Sequence, residues 1–170
     1  MRIVADSSPL RYLRLLACEH VLPVLFGRVL IPQAVWRELQ HPHTPTAVRA
    51  WIAVRPAWLA LQAIAGQPET ALEGLEAGEQ EAIVLARETQ ARLVLLDDGK
   101  ARDVAMAQGL RVMGTVGVLA QAARRGSVDL PEVFARLATT NSRIRRTLLE
   151  EILARDTERR RPSRPDENPT

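Results

Sequence analysis

Short β-favouring runs alternate with helical stretches along most of this chain, and that alternation restricts the fold more than any other feature. Arg2-Ile-Val-Ala is β-favouring and stops at Asp6. Ser8-Pro9 then offers an N-cap and a proline at the first helical position, predicting a helix to about Cys18. Arg28-Val-Leu-Ile reads as a second strand, followed by Pro32 opening a helix to Leu39. His41-Pro-His-Thr-Pro is loop chemistry, with a short helix expected around Ala47–Val54. Trp58–Ile64 reads either as a strand or as an irregular edge segment. Glu79–Thr89 is a helix apolar on most of its circumference, which places it against a sheet. Arg92-Leu-Val-Leu-Leu is a buried strand running into Asp97-Asp98. Lys100–Gln108 reads as helix with Gly109 as its stop, Leu110–Met113 as strand, and Thr115 as the cap of a helix to Arg125. Helices over about Leu130–Thr139 and Ser142–Ala154 complete the pattern.

Strands separated by helices predict an α/β fold, a three-layer sandwich around a mainly parallel sheet. The 170 residues suffice for one domain with its own core. We place that domain at residues 1–154, with 155–170, polar and proline-punctuated, as a disordered basic tail. Eight arginines against six acids in Asn141–Thr170 account for most of the net +3. A near-neutral body with a basic end permits nucleic-acid binding without requiring it. The lone Cys18 excludes an internal disulfide framework and a multi-cysteine zinc site. No uncharged run is long enough to span a bilayer, and the apolar stretch after Arg2 is too short for a signal peptide. A cytoplasmic protein with no membrane partner is expected.

In parallel sheets, function collects beyond the carboxyl ends of the strands. Asp6 ends the first strand and Asp97-Asp98 a later one, so both should project at one rim. Glu79 sits in the first turn of the buried helix, and Glu38 near the end of the helix after the second strand. Each acid alone has an ordinary use in capping, turn formation or meeting a helix dipole. Together they repel one another and raise each other's pKa, a cost that a hard divalent cation removes. Such a cation beside a phosphodiester suits metal-assisted hydrolysis. Lys100 and Arg102 follow the acid pair and are candidates to meet phosphate oxygens, and Ser7 and Ser8 to orient water or substrate. His41-Pro-His43 reads as loop rather than as a ligand pair, and Trp36, Trp51 and Trp58 as packing residues rather than base-stacking ones.

At these residues the chain resembles the PIN-domain family of magnesium-dependent nucleases, in its toxin-like branch. The matching pieces are Val4-Ala-Asp-Ser-Ser-Pro-Leu10, Leu25–Leu39, Gly78-Glu-Gln-Glu-Ala-Ile-Val-Leu-Ala86, Leu93-Val-Leu-Leu-Asp-Asp98 and Gly114-Thr-Val-Gly-Val-Leu119, in the family's order. The resemblance implies a three-layer α/β/α sandwich and acids binding Mg²⁺ or Mn²⁺ for RNA hydrolysis. It carries the catalytic acids onto Asp6, Glu38, Glu79 and Asp97, with Asp98 and Glu81 as further candidates. Metal falls to Asp6, Glu79 and Asp97 with Asp98 assisting, and Glu38 positions water or a second metal. Glu79 and Glu81 stand about 200° apart on a helix, so they cannot share one ion, and Glu79 is the better placed. Leu95 stands where many family members carry a threonine two residues before the strand-end acid, and Gly99-Lys-Ala-Arg departs from a pattern with glycine before the arginine. The resemblance further implies the toxin of a type II toxin–antitoxin pair, a homodimer silenced by a small antitoxin. A non-catalytic module holding nucleic acid or protein on the same fold is the alternative; a phosphoryl-accepting receiver domain fits less well, since its acid pair should follow the first strand.

Overall fold

A computed structural model of the chain describes residues 2–140 and 144–160. Five parallel strands form one sheet in the order β3-β2-β1-β4-β5, from β1 (Ile3–Ala5), β2 (Val29–Ile31), β3 (Leu59–Leu61), β4 (Leu93–Leu95) and β5 (Val112–Met113). The register pairs Ala5 with Leu95 and Val4 with Leu30. The central strands are apolar on both faces, as a sheet covered on both sides requires.

Chain order explains the layers. From β1 the chain moves outward through β2 to β3, then returns to place β4 on the other side of β1. Right-handed crossovers therefore put the strand-connecting helices made before and after that reversal on opposite faces, while the helices after β5, which cross to no further strand, pack on the first face. On one face lie α1 (Ser7–Leu15), α2 (Val21–Phe26) and α4 (Thr46–Ala53), with α7 (Thr115–Arg124), α8 (Leu130–Ala138) and α9 (Arg146–Arg160). Leu10, Leu22, Ile52, Leu119 and Phe134 pack there against Ile3, Ala5 and Ile31. On the other face, α5 (Ala77–Glu88) and α6 (Gly99–Ala107) set Ile83, Leu85 and Ala105 against Val4, Val94 and Leu96. Between them at the sheet's end stands α3 (Gln33–Gln40), packed chiefly on α5. This is the three-layer α/β/α sandwich that the alternation predicts.

Several local expectations are corrected. The cap of α1 is Asp6, whose Oδ2 accepts from the Ser8 N–H at 3.2 Å, so Ser8 lies inside the helix; the helix ends at Leu15 rather than Cys18. Gly114 occupies the cap position of α7 and Thr115 its first turn. Helix α2 had no signal: six residues are too few for periodicity, and Pro23 falls in its first turn, where the missing N–H costs nothing. Leu59–Leu61 is an edge strand. Gly109 ends α6 as expected, with φ at +78°. Helix α9 runs to Arg160, so residues 155–160, expected in a disordered tail, are helical; 161–170, the rest of that tail, lie outside the described residues. Asp156 holds this extension, accepting from Arg159 and Arg160 at 2.6 and 2.7 Å.

Candidate active site

Strands β1 and β4 are neighbours whose connections leave in opposite directions, so a crevice opens past their carboxyl ends. Asp6 stands at that crevice: its N–H donates to the Leu95 carbonyl at 3.0 Å, continuing the ladder by one bond. The side chain is 3% exposed, and with Oδ2 committed to the α1 cap, its buried Oδ1 has no hydrogen-bond partner. Burial raises the Asp6 carboxyl from 3.8 to about 7, with the charges of Glu38 and Glu79 pushing the same way against the N–H groups of Ser7 and Ser8.

Glu38 comes from the last turns of α3. Its Oε2 accepts from the Ser7 hydroxyl at 2.6 Å and its Oε1 from the Gly78 N–H at 2.7 Å, at the start of α5. A Cβ on Gly78 would stand 2.5–2.8 Å from that carboxylate, so any larger residue would displace it. Glu79 closes a capping box, its Oε2 accepting from the Glu76 N–H at 2.9 Å. Burial raises its pKa, and the charges of Asp98, Glu76 and Glu38 add to the rise. Asp98 caps α6 through the Ala101 N–H at 3.0 Å.

Asp97 is held differently. Its Oδ1 accepts from the Thr115 N–H at 2.7 Å and its Oδ2 from the Thr115 hydroxyl at 2.6 Å, so the anion faces the N-terminus of α7. Burial raises its pKa, while Thr115, Arg102 and Arg11 pull it down. A Cβ on Gly114 would lie 2.9 Å from both Asp97 Oδ1 and Arg102 Nη1. Glu38, Glu79, Asp97 and Asp98 line one open cleft of about 1390 Å³; Asp6 is buried and not part of that lining, but lies within reach of the charges of Glu38 and Glu79. The cleft thus has an anionic pole around Asp6, Glu38 and Glu79, and a mixed pole where Asp97 meets Arg11 and Arg102.

A family model described as a PIN domain matches residues 2–158. The chain belongs to the PIN-domain family. Among solved structures it is similar to a PilT N-terminus domain protein from the hyperthermophilic archaeon Sulfolobus solfataricus P2, at 18% identity and a TM-score of 0.54, over 72% of this chain and 93% of that one. That likeness is one of fold. No curated protein matches the chain. PIN domains are generally nucleases and usually use divalent metals.

Within this PIN domain, Glu38, Glu79, Asp97 and Asp98 line the cleft at one rim, Asp6 stands buried beside Glu38 and Glu79, and Ser7 joins them through Glu38. Glu81 turns away: its Oε2 accepts from the Ala34 N–H at 2.8 Å, at the start of α3. Lys100, expected to meet substrate, donates instead to the Gly74 carbonyl at 3.1 Å. Arg102 lines the cleft but faces Asp97. The three tryptophans pack, Trp51 against Trp58 with centroids 6.0 Å apart and Trp36 under Arg55. Sequence reasoning missed Arg11 and the Thr115 contact. Arg11 stands one helical turn after Ser7 and Ser8, a spacing that puts it on their face of α1. The buried Leu95, in the threonine's place, gives Asp97 no hydroxyl, and Thr115 supplies one from α7, the second helix after β4.

Magnesium and manganese take oxygen donors, and each acid here offers only oxygens. Among the described residues no three acid, histidine or cysteine side chains already converge on a single ion position. Magnesium commonly rests on one or two carboxylates and keeps its waters. The unpartnered Asp6 Oδ1, buried beside two other carboxylates, fits that requirement.

Proposed function

We propose that this chain is a Mg²⁺- or Mn²⁺-dependent endoribonuclease. The observation that carries the reading is Asp6: a buried carboxylate with one unpartnered oxygen, pressed by the charges of Glu38 and Glu79 at the sheet's switch point. A carboxylate so placed is costly without a cation and useful with one. Asp6, Glu79 and Asp97, with Asp98 assisting, are the residues that would hold the ion as it draws them together, Asp97 being steadied by Thr115. When bound, a divalent ion would polarise the phosphate and lower the pKa of an attacking water.

The remaining work falls to the chain's own groups. Glu38, fixed by Ser7 and Gly78, orients water on the anionic side. Arg11 and Arg102 neutralise Asp97 in the absence of substrate and are within the cleft to receive phosphate oxygens when a backbone enters. By resemblance to the toxin-like branch, the chain is further proposed to be the toxin of a type II pair, to form a homodimer, and to be silenced by a small antitoxin protein. No described helix is long and apolar enough to cross a membrane, and we place the activity in the cytoplasm.

The test is cleavage of an end-labelled RNA with Mg²⁺, with Mn²⁺ and with EDTA. We expect ion-dependent internal cuts from the wild-type chain and a loss of at least a hundredfold in Asp6→Asn and Asp97→Asn variants that remain folded. Undiminished cleavage in both variants rules the reading out. Salt-sensitive RNA binding with no cleavage would replace it by the non-catalytic module.

A further inference from the structure

The loop joining α3 to α4 carries His41 and His43, both exposed and both lining the cleft that holds the acids. Their rings are stacked, with centroids 5.1 Å apart and planes inclined by 21°. The loop is tied down. The His43 N–H donates to His41 Nδ1 at 3.2 Å, the Thr44 N–H to the His41 carbonyl at 2.8 Å, and the Thr44 hydroxyl to the Glu38 carbonyl at 2.7 Å. The platform is therefore anchored to the helix turn that presents Glu38. Pro42 and Pro45 restrict the backbone on either side.

Two uses of such a pair can be compared. Chelation needs imidazole lone pairs that converge on one point, but near-parallel stacked rings direct theirs along separate planes, and His41 Nδ1 already accepts a hydrogen bond. Stacking needs flat, exposed rings held in place before the ligand arrives, which is the observed arrangement. Histidine is among the side chains on which unpaired bases stack. Arg37 lines the same wall, its side chain 66% exposed and only 3.5 Å from Glu81 at its closest ion pair, and so offers a cation for the adjoining phosphate. Bases inside an A-form duplex are stacked on each other and unavailable to such a platform.

We propose that His41 and His43 form a stacking platform for an unpaired nucleobase, a subsite of this cleft separate from its acids. The proposal rests on the nuclease reading for its biological meaning, but it concerns binding and is testable without catalysis. The probe is a short single-stranded RNA carrying one 2-aminopurine, titrated at low salt in EDTA so that cleavage plays no part. The wild-type chain is expected to quench the probe on binding. The double variant His41→Ala/His43→Ala should bind about tenfold more weakly and lose the quench, which is the size of one lost stacking contact. His41→Phe/His43→Phe should restore both, and annealing the probe to its complement should abolish them. A wild-type chain that does not quench overturns the platform, as do alanine variants that behave like wild type. Phenylalanine variants that behave like alanine also overturn it, because the ring nitrogens would then be the active feature. Quenching without Mg²⁺-dependent cleavage leaves the platform standing and removes the nuclease, whereas cleavage with an unaltered quench in the alanine variant does the reverse.

Discussion

Asp6 carries two duties that the same sequence position serves at once: it caps α1 and it supplies an anion to the cleft. The first duty needs only an oxygen acceptor, and the second needs a charge. Asp6→Asn separates them, since asparagine caps a helix as well as aspartate does. The sign of the pH effect follows from the direction of the shift. A carboxyl whose folded pKa lies above its unfolded one adds stability that is complete below about pH 4 and is lost as pH rises through about 7. In EDTA the wild-type chain should therefore lose stability relative to Asp6→Asn between those values, by a few kcal/mol for a shift of this size. Melting temperatures at pH 5 and pH 8 check it; a gap between the two proteins that does not change with pH would contradict the buried charge. Thr115→Val is the second residue-scale case. It removes the hydroxyl that serves Asp97 Oδ2 and should cost about 1–3 kcal/mol in chemical denaturation. Asp6 and Asp97 were legible because strand ends are legible. The Thr115 contact was not, because it joins positions 18 apart whose proximity depends on β4 and β5 pairing.

At the scale of elements, α3 and α5 hold each other by a reciprocal exchange of caps. Glu38 of α3 accepts from the Gly78 N–H in the first turn of α5, and Glu81 of α5 accepts from the Ala34 N–H in the first turn of α3. Each helix start exposes N–H groups without intrahelical partners, and here the neighbouring helix supplies the acceptors. Glu81 thus acts on the site at one remove, by fixing the helix that carries Glu38. Glu81→Ala should lower stability by about 1 kcal/mol, or about 3 °C in melting temperature, while Glu81→Gln, which keeps an acceptor, should lose less. Equal losses would show that charge rather than the cap matters. Gly78→Ala tests the same joint from the other side. Alanine favours the helix, yet its Cβ would displace the Glu38 carboxylate. RNA cleavage about tenfold below wild type with near-normal melting is expected, and wild-type cleavage would remove Glu38 from the site. Sequence periodicity located α3 and α5 but not this joint. The two helices are almost forty residues apart, and a glutamate that caps a distant helix looks in the sequence like any solvated one.

For the whole molecule, the reversal of chain direction between β1 and β4 is what makes a site. It brings together acids from the ends of two strands, the last turn of α3 and the first turn of α5, and it opens the cleft that the stacked histidines also line. The alternation of strands and helices was enough to predict the sandwich, and the rule about carboxyl ends was enough to predict the rim. Strand order was not legible, since three-residue strands that are apolar on both faces carry no sign of their neighbours. The most direct measurement is calorimetric titration of Mg²⁺ into the chain at pH 8, beside the Asp6→Asn variant. The account predicts saturable binding by the wild-type protein, weakened at least tenfold in the variant. Equal binding by both, or none by the wild-type chain, would contradict it.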